Sequence, residues 1–210
     1  MELELLNIFD QNRNHVGVAT REEVHRIGHW HEVFHCWFVG RENERDSIYL
    51  QLRSPLKKDY PNLLDITAAG HLLADETVQD GVREIKEELG IDVAFEDLVP
   101  LDILDYSIHN EKMIDNEFAH VFLYEYHGTF DGFCLQKEEV SGIVRVAFDD
   151  FCKLWMGTKE EIRITGFTVN KNGEKIWIDT SVGKNKFVTH DPSHYQNVIS
   201  LIGEHLERKK

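Results

Sequence analysis

The 210-residue sequence predicts an α/β (α+β) fold, a strand-rich domain carrying a small number of helices. Three features predict it. β-prone runs recur from the first residues to about 147. One strongly amphipathic segment, residues 76–90, interrupts them with helical periodicity. After residue 160 a hairpin signal is followed by a well-capped helical stretch.

Taken in order, "LELLNIF" (3–9) alternates as a short strand, and "NRNH" supplies turn residues before a second strand at "VGVA". "TREEVHRIG" reads as a short helix, with Thr20 as N-cap, Glu23 completing a capping box and Gly28 ending it. "HEVFHCWFVG" and "SIYLQLRS" are two strands across the charged turn "RENERD", and "PNLLDITAAG" is a loop entering a short strand. In "ETVQDGVREIKEELG" Val78, Val82, Ile85 and Leu89 fall on one helical stripe, and Gly90 is a natural stop. Gly81 is unfavourable inside such a helix. Strands follow at "LVPLDILDYSI", "NEFAHVFLYEY" and "EVSGIVRVAF", then a helix at "FDDFCKLWMG".

Beyond 160, "RITGFTVNKNGEKIWIDTS" is a hairpin around Asn172-Gly173. "DPSHYQNVISLIGEHLERKK" is a helix with Asp191 as N-cap and Pro192 in its first position. No Pro/Gly/Ser-rich linker separates the two parts. Residues 1–159 are expected to form the main domain, and 160–210 a hairpin-plus-helix appendage packed on it.

A net charge of -15, from 23 basic and 38 acidic residues, argues against gripping nucleic acid or an anionic membrane by bulk electrostatics. It leaves room for a phosphate-bearing small molecule bridged to acidic groups by a divalent cation. Cys36, Cys134 and Cys152 have no paired spacing and read as reduced thiols of a cytoplasmic protein. The first residues lack the pattern of a secretory signal, and no segment reaches the roughly 18 apolar residues of a membrane span. The terminal hairpin and helix are suitable material for a homodimer interface.

"REIKEELG" (83–90) crowds Glu84, Glu87 and Glu88 into little more than one helical turn, where like charges repel. The stretch is either a solvated face or a seat for something positive. Hard cations such as Mg²⁺ or Mn²⁺ take carboxylate, water and phosphate oxygens.

Gly70, Glu76, Arg83-Glu84, Glu87-Glu88 and Gly90-Ile91 together resemble the signature box of the Nudix hydrolase family. Six residues separate Glu76 from Arg83 where the family pattern has seven, so Asp75 or Glu76 is the partner of Arg83. The segment before the box resembles the isopentenyl diphosphate isomerase-like branch, with Arg53, Lys57, Pro61, Asp65, Gly70 and His71 at matching places. Farther on, "DNEFAHVF" and "LQKEEVSGI" resemble later segments of that branch. The resemblance spans roughly residues 3–157 and leaves the tail unexplained.

The resemblance implies a mixed β-sheet sandwiched between helices, and hydrolysis of a diphosphate by metal-activated water. Glu84, Glu87 and Glu88 would hold Mg²⁺ (or Mn²⁺), and Arg83 would orient them. Arg53 and Lys57 would contact the substrate's phosphates. The general base would be Glu88, or Glu138 or Glu139 in the later loop. His71 and Glu117, with Asp115 and His31 beside them, match metal-binding positions of the isomerases. The substrate would be a nucleoside diphosphate-linked compound or a related organic pyrophosphate. Two alternatives stand beside it: a non-catalytic ligand sensor, and an isomerase. The isomerase needs a cysteine where this chain has Ala69. His25, His29, His31 and His35 do not read as a zinc site, because His31 and His35 would stand about 13 Å apart along a strand.

Overall fold

The computed structural model describes residues 4–109 and 114–209. β1 (Leu5–Phe9) and β2 (His15–Thr20) form a hairpin leading into α1 (Arg21–Ile27). Residue 3 of the predicted first strand lies outside the described residues. The caps of α1 are those expected: Thr20 accepts from the Glu23 amide, and Gly28 adopts the left-handed conformation at φ 83°. β3 (Trp30–Glu42) and β4 (Arg45–Arg53) are joined by Asn43 and Glu44, both at positive φ, as a tight hairpin turn requires.

The loop after β4 carries two short strands, β5 (Leu64–Asp65) on β4 and β6 (Ala68–His71) on β3. Here the helix expected from residue 76 is shorter. A 3₁₀ turn occupies Asp80–Val82, and α2 proper runs only over Arg83–Leu89, ending at Gly90 with φ 71°. Gly81 sits in that turn because a Cβ there would lie 2.7 Å from the Phe34 ring. A 3₁₀ turn rises further per residue than an α-helix, which absorbs the short spacing between Glu76 and Arg83.

β7 (Val99–His109), β8 (Ile114–Glu125), β9 (Val140–Ala147) and α3 (Phe148–Trp155) follow. β10 (Glu161–Val169) and β11 (Lys175–Gly183) form the predicted hairpin, and α4 (Pro192–Arg208) begins at the Asp191 cap. The sheet is mixed. β3 pairs antiparallel with β4 but parallel with β8, and β10 pairs with β9, so the hairpin past residue 160 continues the same sheet.

β3 explains the layering. Val33, Trp37 and Val39 face one core with Phe151, Leu154 and Trp155 of α3 and Tyr195, Val198 and Ile202 of α4. The alternate residues Phe34, Cys36 and Phe38 face a second core with Ile85 and Leu89 of α2. A strand apolar on both faces must be covered on both, and helices do so here. No helix among the described residues is long and apolar enough to cross a membrane.

Candidate active site

One cleft of about 380 Å³ opens where β6, α1, the start of α2 and the ends of β4, β7 and β8 converge. Its first wall is α2. Gly70 of β6 lies against Glu84, whose carboxyl carbon would be 2.1 Å from a Cβ there, so a larger residue would displace this carboxylate. Arg83 decides which acid completes the box. Its Nε donates to Glu76 Oε1 at 2.5 Å and its Nη2 to Glu76 Oε2 at 2.9 Å. Nη1 donates to Glu84 (2.5 Å) and Glu87 (3.2 Å), and Nη2 also reaches the His71 carbonyl at 3.1 Å. One guanidinium thus ties the loop, the strand and the helix together.

Glu88 is buried, accepting from the Ala69 amide at 3.2 Å and from Gln51 Nε2 at 3.4 Å. Burial, and then the charge of Glu84, pushes its carboxyl well above the ordinary range. Burial also raises Glu84, to about 6. Glu87 is more exposed, at the cleft rim. Burial outweighs the Arg83 partner at Glu84, so two carboxylates of one wall resist ionisation.

The second wall is assembled from distant segments. His25 of α1, His31 of β3 and His71 of β6 bring one nitrogen each within 4.8 Å of one another. His31, Asp115 and Glu117 form a second such group. His31 Nδ1 lies 3.2 Å from the His29 carbonyl, which can only accept, so the proton sits on Nδ1 and the lone pair on Nε2. That lone pair faces Asp115 Oδ1 at 3.6 Å, and both atoms are buried without a hydrogen-bond partner. His25 Nε2 stands 3.3 Å from the same oxygen. Two buried acceptors aimed at each other would suit a cation. Beside them, burial works to lower the proton affinity of His25, but the hydrogen bond and charge of Asp115 override it and raise that affinity. Burial lowers the proton affinity of His31 and His71, keeping them in the neutral form that binds metals. Burial, reinforced by Asp115, pushes Glu117 well above the usual carboxylate range.

The sequence reading of the histidines from 25 to 35 weighs only their spacing along one strand. His31 and His35 do serve separate neighbours, His35 facing Glu117 at 3.7 Å. His25 and His31, however, meet His71 across the fold. Strand spacing alone could not reveal this, because the third member comes from β6.

Cationic groups border the same cleft. Arg53 donates to Asp65 at 2.8 Å and to the Asp59 carbonyl at 3.0 and 3.2 Å. Lys57 is ion-paired with Glu139, and Arg21 with Glu4 at 3.3 Å. Arg53, Lys57, His71, Arg83, Glu84, Glu87, Glu88, Glu117 and Glu139 all border the cleft, whereas Glu138 does not. Sequence reasoning gave no role to Tyr106, His190 or Arg21, which border it too. No cysteine lines it among the described residues, and Ala69 occupies the place of the isomerase thiol.

Comparison with known proteins matches residues 16–165 to the family model for the NUDIX domain. An uncharacterized Nudix hydrolase of Clostridium acetobutylicum is 37% identical over 96% of this chain and 98% of its own length. The chain belongs to the Nudix hydrolase family. This Nudix hydrolase is also 27% identical to a prenyl-diphosphate phosphatase of Methanosarcina mazei, over 74% of this chain and 81% of that one. A crystal structure from Deinococcus radiodurans shares the Nudix fold at a TM-score of 0.56, with 18% identity, covering 74% of this chain and 91% of that one.

Proposed function

We propose that this Nudix hydrolase cleaves the diphosphate linkage of a small organic diphosphate, with Mg²⁺ or Mn²⁺ held in the cleft. The observation that carries the reading is the shared cleft. Glu84 and Glu88 resist ionisation on one side, His31 Nε2 and Asp115 Oδ1 face each other on the other, and Arg53 and Lys57 border the same cleft. Glu84, Glu87 and Glu88 would hold one cation, and His71 and Glu117 would serve as ligands in a separate site on the facing wall. When bound, such a cation neutralises diphosphate charge and makes water more acidic.

The residues' own work follows from their positions. Arg53 and Lys57 bind the phosphates, and Arg83 keeps Glu84 and Glu87 aimed into the cleft. Water adds to one phosphorus, the bridging P–O bond breaks, and the departing phosphate keeps the electron pair. The proton given up by the water goes to a carboxylate, Glu88 or Glu139. The three free thiols suit a reducing cytoplasm. The Methanosarcina relative makes prenyl diphosphates the first substrates to try, ahead of nucleoside diphosphate-linked compounds. An isomerase lacks its thiol here, and a mere sensor has no need of the complete Arg83-Glu84 and Glu87-Glu88 set.

The test is formation of the hydrolysis products across a panel, inorganic phosphate from prenyl diphosphates and phosphate monoesters from nucleotide sugars and dinucleotides, with Mg²⁺ or Mn²⁺ and with Glu88→Gln as control. Turnover abolished by Glu88→Gln is the expected result. A panel without turnover, alongside a ligand that raises Tm, would favour a sensor.

A further inference from the structure

The family match stops at residue 165, but the cleft wall does not. Val188 and His190, from the segment before α4, also border it. The segment is anchored to the site. Phe187 forms a parallel bridge with Leu64, and the Val188 amide donates to the Leu64 carbonyl at 2.9 Å. From there His190 turns inward, its side chain only 7% exposed, and stacks on His194 at 5.0 Å.

Both ring nitrogens of His190 end on cleft groups. Nε2 lies 3.2 Å from Asp65 Oδ1, and Nδ1 is hydrogen-bonded to the Tyr106 hydroxyl. The other Asp65 oxygen takes Nη1 of Arg53 at 2.8 Å. Burial works against the charge of Asp65, but the His190 hydrogen bond and the Arg53 charge override it and hold the carboxyl well below its ordinary range. An ionised carboxylate only accepts, so the His190 proton sits on Nε2. In the neutral ring Nδ1 then accepts from the Tyr106 O–H. The result is one connected line: Tyr106 to His190, His190 to Asp65, and Arg53 to Asp65.

We propose that His190, supplied by the C-terminal segment, is a positioning residue of the hydrolytic site, holding Arg53 through Asp65 and fixing the hydroxyl of Tyr106. A histidine that merely packed the tail would not need both nitrogens engaged with cleft residues. The inference rests on the reading that this cleft takes a diphosphate, with Arg53 as a phosphate contact.

Three substitutions in the full chain divide the two arms. His190→Gln places its amide where Nε2 was and keeps Asp65. His190→Asn reaches Nδ1's place and keeps Tyr106. His190→Ala loses both. The measurements are KM and kcat with Mn²⁺, calorimetric binding of methylenediphosphonate, and Tm. His190→Ala is expected to raise KM and weaken methylenediphosphonate about tenfold, the weight of one hydrogen bond to a charged group. His190→Gln should restore both, and His190→Asn should not. Ala values within about twofold of wild type overturn the inference. So does a loss in all three variants that merely follows Tm. If wild type hydrolyses no diphosphate yet binds methylenediphosphonate, the hydrolase reading falls and the binding series alone decides the role of His190. Wild type that binds no methylenediphosphonate overturns the inference as well.

Discussion

The carboxylate wall draws Glu84, Glu87 and Glu88 from one seven-residue helix, whereas the facing wall takes His25, His31, His71, Asp115 and Glu117 from α1, β3, β6 and β8. The first wall is a local device. Its spacing is fixed by helical geometry, and one guanidinium, Arg83, aligns it. The second exists only after β3 has paired parallel with β8 and antiparallel with β6. Its donor atoms fall into two groups sharing His31, each converging within 4.8 Å, while the α2 carboxylates are spread over hydrogen bonds to Arg83, Ala69 and Gln51. The conspicuous half of the site is thus set by local helical spacing, and the dispersed half by strand pairing.

The hardest blow to the local wall is Glu88→Gln, which should cut kcat on the order of a thousandfold, as loss of a key electrostatic group does. Near-normal turnover would mean that α2 is not the chemical wall. On the dispersed wall, His71→Ala should weaken Mn²⁺ binding roughly a hundredfold by calorimetry, while leaving a second, α2-dependent site in place. Loss of both sites together would show the walls to be one centre.

The joint between the walls can be broken without touching a donor. Gly81→Ala drives a Cβ into Phe34 and should cost about 1–3 kcal/mol by denaturant unfolding, as overpacking does. The pH dependence sharpens the contrast further. Glu84, raised by burial to about 6, binds its proton more tightly folded than unfolded. Cation-free stability should therefore fall as pH rises from the unfolded carboxyl range to about 6, by up to about 2 kcal/mol from this group. Added Mg²⁺ should raise Tm more at pH 8 than at pH 5, because the folded carboxylate must be ionised to bind it. An equal increment at both pH values would assign the cation elsewhere. The smallest effect belongs to Asp75→Asn. Since Glu76 is the acid that meets Arg83, this change should stay within about 0.5 kcal/mol of wild type.

What could be read from the sequence follows the same division. The helix caps at Thr20, Gly28 and Asp191, the β10–β11 hairpin and the α2 carboxylates rest on neighbours a few residues apart, where propensity and periodicity speak directly. The start of α2 misled, because Gly81 answers to Phe34, 47 positions away and invisible to a helical pattern. The joining of His25 and His31 with His71 was hidden for the same reason, and so was His190, whose partners Asp65 and Tyr106 lie far upstream. Long-range pairing creates those contacts, and a single sequence does not display it.

The central claim is water attack on phosphorus in this cleft. Hydrolysis of a prenyl diphosphate in ¹⁸O-labelled water with Mn²⁺ tests it most directly, with the products read by mass spectrometry. The account predicts ¹⁸O in a phosphate product, and none from Glu88→Gln. Label in a released alcohol, or product formed equally by Glu88→Gln, would contradict it.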